Sequence, residues 1–449
     1  MSLEGARERV SLTHSDPPEA WQPLRRLVRR ARRPLDRFLA IEAASGILLL
    51  LSAAAALIWA NSPWAHSYHA LWQLPLGVRL GAWQLERPLE WLVNDGLMVV
   101  FFFVVGMEIR REMHSGALST LRGAALPAVA ALGGMLAPAG IYALIATDAG
   151  ASHGWGVPMA TDIAFAVGIL TMLGRRVPES LRVLLLALAV IDDLGAIVVI
   201  ALFYTSGLWL PGLAIAALGI VGLLAMQRVG VRTKLAYVAP ALVVWAGVYA
   251  AGIHPTIAGV IIGLLTPVRA WLGPSGFEHE LHAGLDALTG QASPTLERTL
   301  SRIDAARRET LSPAEGLIHA LHPWVAFGIM PIFALANAGV NLSGTGSELL
   351  GAQAFWGAAL GLTLGKPIGV LAACWLAQRS RLADVPRELG LRHLVLLGLV
   401  AGVGFTMALF IAALAFSDAD HLAAAKLGVL AASAVAGVAA YAFGRSALR

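Results

Sequence analysis

The 449-residue sequence predicts an all-α, polytopic membrane protein. Three observations carry this. Hydrophobic residues make up 57% of the chain and charged residues only 14%. The mean hydropathy is +0.71, and apolar runs of membrane-spanning length recur from residue 38 to residue 444. Soluble chains carry roughly 25% charged residues, and one helical span takes about 20 apolar residues. The single Cys374, inside an apolar run, excludes a disulfide framework and a Cys-based metal site.

Taken in order, twelve spans fall at about 38–60, 89–108, 121–147, 155–174, 180–204, 208–228, 234–250, 254–272, 318–337, 355–377, 391–416 and 421–444. Only Ala251-Gly252 divides the seventh from the eighth. Basic residues then alternate between the connections. The tail at 1–37 holds nine Arg; Arg110 and Arg111, Arg175 and Arg176, Arg228 and Arg232, Arg269 and Arg302, Arg379 and Arg381, and Arg445 follow every second span. The loops at 148–154, 205–210, 338–354 and 417–420 contain neither Lys nor Arg, and only Arg79 and Arg87 break the pattern. By the positive-inside rule both termini are cytoplasmic, which requires an even number of spans. The net charge of +5 thus follows membrane topology, and no nucleic-acid motif accompanies it. The run after the Arg-rich tail is long enough to span, so the tail does not read as a cleavable signal.

Residues 38–449 form one membrane domain on this reading. Within it, residues 76–86 alternate apolar and polar around a Gly, the pattern of a short β-hairpin on the outer face. Residues 273–315 are polar, with Pro274, Pro294 and Pro313, and read as a long cytoplasmic loop. A flexible tether is preferred there over ordered structure, apart from one possible amphipathic helix near 295–309. Trp64, Trp72, Trp83, Trp91 and Trp155 read as interfacial anchors.

The chemistry lies in ionisable residues at bilayer depth, which are costly and point to function. Asp192-Asp193 sits mid-span in Leu181–Tyr204, Asp162 in Pro158–Leu173 and Lys366 in Phe355–Leu376. Three such acids and one base point to movement of cations, protons or both. Spans four (Pro158-Met-Ala-Thr161-Asp162) and eleven (Gly398-Leu-Val-Ala-Gly402-Val-Gly404) carry helix-weakening residues at mid-depth. Broken helices in matching halves of a transporter mark its binding site. Spans three to five and ten to twelve make such halves, of opposite orientation because three is odd. An acid at a break balances half-helix N-termini and a base the C-termini, roles that suit Asp162 and Lys366. Burial and a nearby like charge both favour a neutral carboxyl. Asp192 and Asp193 would therefore hold protons or a hard cation such as Na⁺, not both fully.

Blander readings compete. One buried Asp can be a satisfied structural group, and Lys366-Pro367 a kink with a snorkelling Lys. His254-Pro255 reads as a helix-end cap before it reads as a ligand. His319 and His322, near the cytoplasmic mouth, could titrate near neutrality or be merely interfacial.

The motifs resemble one family. Ala160-Thr-Asp-Ile-Ala-Phe-Ala166, Val190-Ile-Asp-Asp-Leu-Gly-Ala-Ile197, Leu364-Gly-Lys-Pro-Ile-Gly369 and Ala401-Gly-Val-Gly-Phe-Thr-Met407 are similar to the signatures of NhaA-type bacterial Na⁺/H⁺ antiporters. So are Asn94-Asp95-Gly-Leu-Met98, Phe101 to Glu112, Gly252 to Gly259 and Met330 to Gly339, all in collinear order. The resemblance implies twelve helices with inverted repeats, the fourth and eleventh interrupted and crossed. It implies export of Na⁺ or Li⁺ for external H⁺ across the bacterial inner membrane, electrogenic and pH-regulated, with no cofactor. Asp192 and Asp193 are then the cation and proton carriers. Asp162, with Thr161 beside it, and Lys366 balance charge at the breaks, and Gly402 and Gly404 belong to the second break. Glu108, Arg111, Glu112, His319 and His322 match the family's pH-sensing cluster, with His254 a further pH-response candidate. The hairpin at 76–86 resembles a dimer contact, so a homodimer is implied. This chain has Glu315 and Ile318 where members carry a Lys and a Glu, and its N-terminal tail and 273–315 loop are longer.

Other classes fit less well. Another monovalent cation/H⁺ exchanger, such as one for K⁺, would share the architecture. A passive cation channel would need no alternating access. An intramembrane aspartyl protease, the enzymatic alternative, would resemble Tyr-Asp and Gly-x-Gly-Asp motifs that are absent here.

Overall fold

The computed structural model describes residues 42–80, 83–205, 207–289, 296–342, 346–383, 385–386 and 388–448. The N-terminal tail at 1–37 lies outside the described residues. Among them, seven helices are long and apolar enough to cross a membrane, or ten if each of three bent pairs is one span.

Helix α1 (Glu42–Ala60) turns sharply into the short α2 (Ala65–Trp72), with 116° between them. Asn61 fixes the turn: its amide donates to the carbonyls of Leu57 and Val340, each at 2.8 Å. Trp72 is buried against Tyr68, ring centroids 6.3 Å apart, so it is a core residue rather than an interfacial anchor. Strands β1 (Pro75–Leu80) and β2 (Trp83–Pro88) pair antiparallel with Gly77 opposite Glu86, at the position read as a hairpin.

Helix α3 (Leu89–Ser115) contains a π-helical turn at Leu92–Leu97. Helix α4 (Leu121–Ile145) begins where Thr120 Oγ1 accepts the Gly123 N–H at 3.2 Å. Helices α5 (Ala149–Met159) and α6 (Ile163–Arg176) form one bent pair, at 45°. Helix α7 (Glu179–Phe203) is the most enclosed of the seven unbroken spans, 67% buried over its apolar window, against 22% over that of α8 (Leu210–Val229). A glycine with φ +80°, Gly230, ends α8 in the left-handed conformation that side chains disfavour.

Helices α9 (Lys234–Ala250) and α10 (Thr256–Leu265) are shorter. The eighth span was expected to reach 272, yet α10 stops at Leu265. Pro267 forces Thr266 into extended backbone (φ −68°, ψ 131°), which ends the helix. A flexible tether at 273–315 is also overturned. Helices α11 (Pro274–Thr289) and α12 (Leu296–Thr310) pack on one another, with Arg302 donating to Glu280 at 2.9 Å. Arg232 pairs with Glu309 and stacks over Trp271, and Leu272 N–H donates to the Glu309 carbonyl, which docks this pair onto the turn before α9. The polar composition concealed it because a two-helix insert needs only one narrow apolar seam.

Helix α13 (Pro313–Asn337) starts five residues earlier than expected, because Ser312 and Glu315 form a capping box. After α14 (Gly346–Gly351) comes α15 (Gln353–Arg379), which packs tightly on α4. Gly133 and Gly369 face each other so closely that a Cβ on either would meet the other's carbonyl oxygen, the small-residue contact that membrane helices favour. Helices α16 (Leu391–Ala401) and α17 (Phe405–Ala415) form a second bent pair, at 44°. Helix α18 (Ala419–Ala447) closes the chain, capped by Asp418 accepting the His421 N–H at 3.0 Å.

Candidate ion site at two touching helix breaks

The breaks in α5–α6 and α16–α17 are bonded to each other. Asp162 N–H donates to the Val403 carbonyl at 2.8 Å, and Thr161 Oγ1 lies 3.0 Å from the Ala401 carbonyl at the end of α16. Both breaks therefore satisfy freed backbone groups with protein, as a dry interior requires.

Asp162 serves both half-helix N-termini. One oxygen accepts the Phe165 N–H of α6 at 3.0 Å. The other accepts the Thr406 N–H at 3.2 Å and the Thr406 hydroxyl at 2.5 Å on α17. Two partly positive helix ends thus converge on one carboxyl group. The next N–H of α17, that of Phe405, donates to Ser433 Oγ on α18 at 3.0 Å.

Lys366 contacts Asp192 Oδ2 and donates to Thr161 Oγ1 at 2.5 Å, and Thr161 in turn lies 2.7 Å from the same Asp192 oxygen. Lys366 is wholly buried, so it does not snorkel. It reaches the break through Thr161 and pairs with Asp192 rather than with Asp162. The α15 helix carries it immediately after a π-helical turn at Gly361–Gly365, a distortion that recurs at functional sites.

Asp193, one residue on and about 100° around α7, is 1% exposed. Among the described residues neither of its oxygens has a protein hydrogen-bond partner, and nor does Asp192 Oδ1. The charged groups facing Asp193 are Asp192, Glu108, Lys366 and Asp162. Three orphaned carboxylate oxygens at adjacent positions supply hard ligands for a small cation, or acceptors for a proton.

Gly402 and Gly404 are required for close approach, not for backbone conformation. Their φ angles are −65° and −89°, ordinary for any residue. A Cβ at Gly402 would lie 2.7 Å from the Leu362 carbonyl oxygen, and one at Gly404 3.1 Å from that of Ala160.

The family described as Na⁺/H⁺ antiporter 1 matches residues 36–443. The chain belongs to this family. It is 67% identical over 438 residues to "Na(+)/H(+) antiporter NhaA 2" of Myxococcus xanthus (strain DK1622), covering 96% of this chain and 92% of that one. It is 52% identical over 442 residues to "Na(+)/H(+) antiporter NhaA 2" of Sorangium cellulosum (strain So ce56), covering 96% and 94%. Among solved structures it matches that of the sodium proton antiporter MjNhaP1 from Methanocaldococcus jannaschii. The TM-score is 0.52 at 13% identity, over 95% of this chain and 96% of that one, a likeness of fold alone.

In this NhaA-type chain the remaining candidates occupy two places. Glu108, Arg111 and Glu112 lie near the end of α3, which packs against the first half of α13, where exposed His319 and His322 sit. Arg111 and Glu112 are 3.9 Å apart, and Glu112 also accepts the Ala117 N–H at 2.9 Å. Glu315 is engaged in the capping box and Ile318 is buried, so neither supplies a free charge there. His254 stands apart from this group. Its Nε2 lies 3.2 Å from Asp95 Oδ1 and its Nδ1 2.8 Å from Thr256 Oγ1. Asp95 and Glu112 are about 25 Å apart along α3 at 1.5 Å per residue.

Thr406, Ser433 and Asp95 went unread as site residues. Thr406 and Asp95 stood inside quoted motifs, so their signal was present. Ser433 offered only a lone hydroxyl in the small-residue run of α18.

Proposed function

We propose that this protein exchanges Na⁺ or Li⁺ for H⁺ by alternating access in the bacterial inner membrane. The ten candidate spans with the two shorter apolar helices, α9 and α10, make twelve. The broken fourth and eleventh spans are crossed members of inverted repeats, and both termini are cytoplasmic. The similar bends of the two broken pairs support that reading. Residues 38–449 then act as one membrane domain with α11–α12 as a cytoplasmic insert.

The observation that carries the reading is Asp193: a buried carboxylate with no protein partner, beside Asp192, which shares its other oxygen with Lys366 and Thr161. An unpaired buried charge is too costly to persist. Asp193 therefore holds either a proton or a cation. A cation between Asp193 and Asp192 also competes with Lys366 for Asp192. Cation binding then displaces a proton from Asp193 and loosens a second ionisable group, which supports more than one H⁺ per cation and hence electrogenic exchange. Asp162 and Thr161 keep the breaks electrostatically neutral while the site changes face.

The pH response resides in Glu108, Arg111, Glu112, His319 and His322, at the mouth of the path to Asp193, with His254 acting from the opposite end of α3. The β1–β2 hairpin has free edges that a second copy can pair with, which supports a homodimer.

The test is Na⁺- or Li⁺-induced collapse of a respiration-generated ΔpH in everted vesicles, with Asp193→Asn alongside. Collapse by wild type that the variant loses is expected. No response to either ion, with the protein in the membrane, would sink the assignment.

A further inference from the structure

Between the end of α6 and the start of α7 lies an open groove of about 580 Å³. Its lining combines the charged Arg175, Glu179 and Arg182 with the apolar Val177, Val183 and Leu186. Gly174, with φ +61°, turns the chain at the end of α6 and presents its carbonyl to Arg182 Nη2 at 3.4 Å. That contact holds a half-buried guanidinium over the groove. Arg176 is turned elsewhere, donating to the Arg445 carbonyl at 3.3 Å. Next to Arg182 on α7, Val183 is 47% exposed, Leu186 one turn beyond is 41% exposed, and Met172 on α6 is 57% exposed. These apolar side chains are left uncovered among the described residues, and Val183 and Leu186 belong to a helix long and apolar enough to cross a membrane.

We propose that the groove is a binding site for one glycerophospholipid. Arg175 and Arg182 share its phosphate, and its acyl chains lie along Val183 and Leu186. Paired guanidinium groups match phosphate geometry and hold it by charge-assisted bonds. The arginines stand at the polar boundary of the basic end of the bundle, where lipid phosphates lie. A free phosphate ion would use the arginines and leave the apolar strip in contact with nothing of its own. Glu179 adds a selectivity. An exposed carboxylate beside the phosphate favours a headgroup with a hydrogen-bond donor, the ammonium of phosphatidylethanolamine or the hydroxyls of phosphatidylglycerol. The quaternary ammonium of phosphatidylcholine has no such donor. The site joins α6, whose first turn is capped by Asp162, to α7, which carries Asp192 and Asp193. The lipid therefore braces the two elements that meet at the ion site.

The experiment is native mass spectrometry of the full chain in detergent with phosphatidylethanolamine, phosphatidylglycerol, phosphatidylcholine or inorganic phosphate added. The proteins are wild type, the Arg175→Gln/Arg182→Gln double variant, and Arg122→Gln, which removes an exposed arginine from α4 away from the groove. One retained phosphatidylethanolamine or phosphatidylglycerol is expected, weakened roughly tenfold or more in the double variant by loss of charge-assisted bonds and unchanged in Arg122→Gln. Equal loss in Arg122→Gln would reduce the site to general surface charge and overturn the proposal. So would equal retention of phosphatidylcholine, or competition by inorganic phosphate. A change of oligomeric state in the double variant without loss of lipid would assign the groove to a second copy instead. Lipid binding is read directly, so the result is independent of the antiport reading.

Discussion

Lys366 and Asp192 form an ion pair with no solvent exposure on either side chain. Among the described residues, Thr161 is the one other side chain that hydrogen-bonds to this oxygen and this ammonium. Removing one partner of a buried pair leaves the other charge uncompensated, at a cost of about 3–5 kcal/mol. Lys366→Ala is therefore expected to lower stability by that order, and Lys366→Met with Asp192→Asn to recover most of it. Thermal unfolding of the purified variants decides this. Equal destabilisation of the single and double variants would mean that the pair is not coupled.

Asp193 is expected to behave in the opposite way. Its oxygens accept nothing from the protein among the described residues, so Asp193→Asn breaks no hydrogen bond and puts a neutral amide where the ion-free protein holds a protonated carboxyl. Stability should be unchanged or higher while exchange is lost. A variant that fails to fold would show that the carboxylate is structural.

The contrast between these two neighbours marks how far the sequence could be read. Intramembrane Asp192-Asp193, Asp162 and Lys366 stood out because each is costly in lipid, and Gly402 and Gly404 marked the second break. What could not be read was pairing: which acid Lys366 would meet depends on the crossing of α6, α7 and α15, not on spacing within any one of them. Ser433 was hidden for the same reason. The insert at 273–315 was misjudged because a polar, Pro-containing stretch gives little periodicity, even though α12 falls close to where an amphipathic helix was expected. The hairpin was legible because alternation and a turn suffice to define it locally.

Ser433 offers a test of the second break from outside it. Its hydroxyl is the acceptor for the Phe405 N–H, and it is buried. Ser433→Ala leaves that donor unsatisfied, which costs about 1–3 kcal/mol. Ser433→Thr keeps the acceptor and is expected to retain stability and exchange. Loss of exchange in both variants to the same degree would point to volume rather than hydrogen bonding.

At the exposed start of α18, the Asp418 carboxyl is held below its ordinary value of 3.8, chiefly by the backbone N–H of His421 and then by its ring. A depressed folded value means stabilisation that is present above the ordinary value and lost as pH falls through the folded one. Unfolding temperatures measured from neutral pH down through the carboxylate range should therefore decline more steeply in wild type than in Asp418→Asn, which keeps a capping oxygen without the charge. Parallel curves would remove the charged cap as a contributor.

Gly402 and Gly404 separate two kinds of crowding. A methyl at Gly404 would meet the Leu362 Cδ2 methyl at 2.8 Å, the end of a side chain that can rotate away. At Gly402 the nearest atom is the Leu362 carbonyl oxygen at 2.7 Å, and a backbone atom inside the π-helical turn Gly361–Gly365 cannot yield without moving that turn and Lys366 after it. Overpacking costs typically about 1–3 kcal/mol. Gly402→Ala is expected at the upper end of that range with exchange abolished, because displacement of this segment carries Lys366 away from Asp192. Gly404→Ala is expected to be milder in both respects. Unfolding temperature and ΔpH collapse measured on both variants decide the order, and a more severe Gly404→Ala would mean that the Ala160 carbonyl contact at 3.1 Å, not the α15 segment, controls the fit of the two breaks.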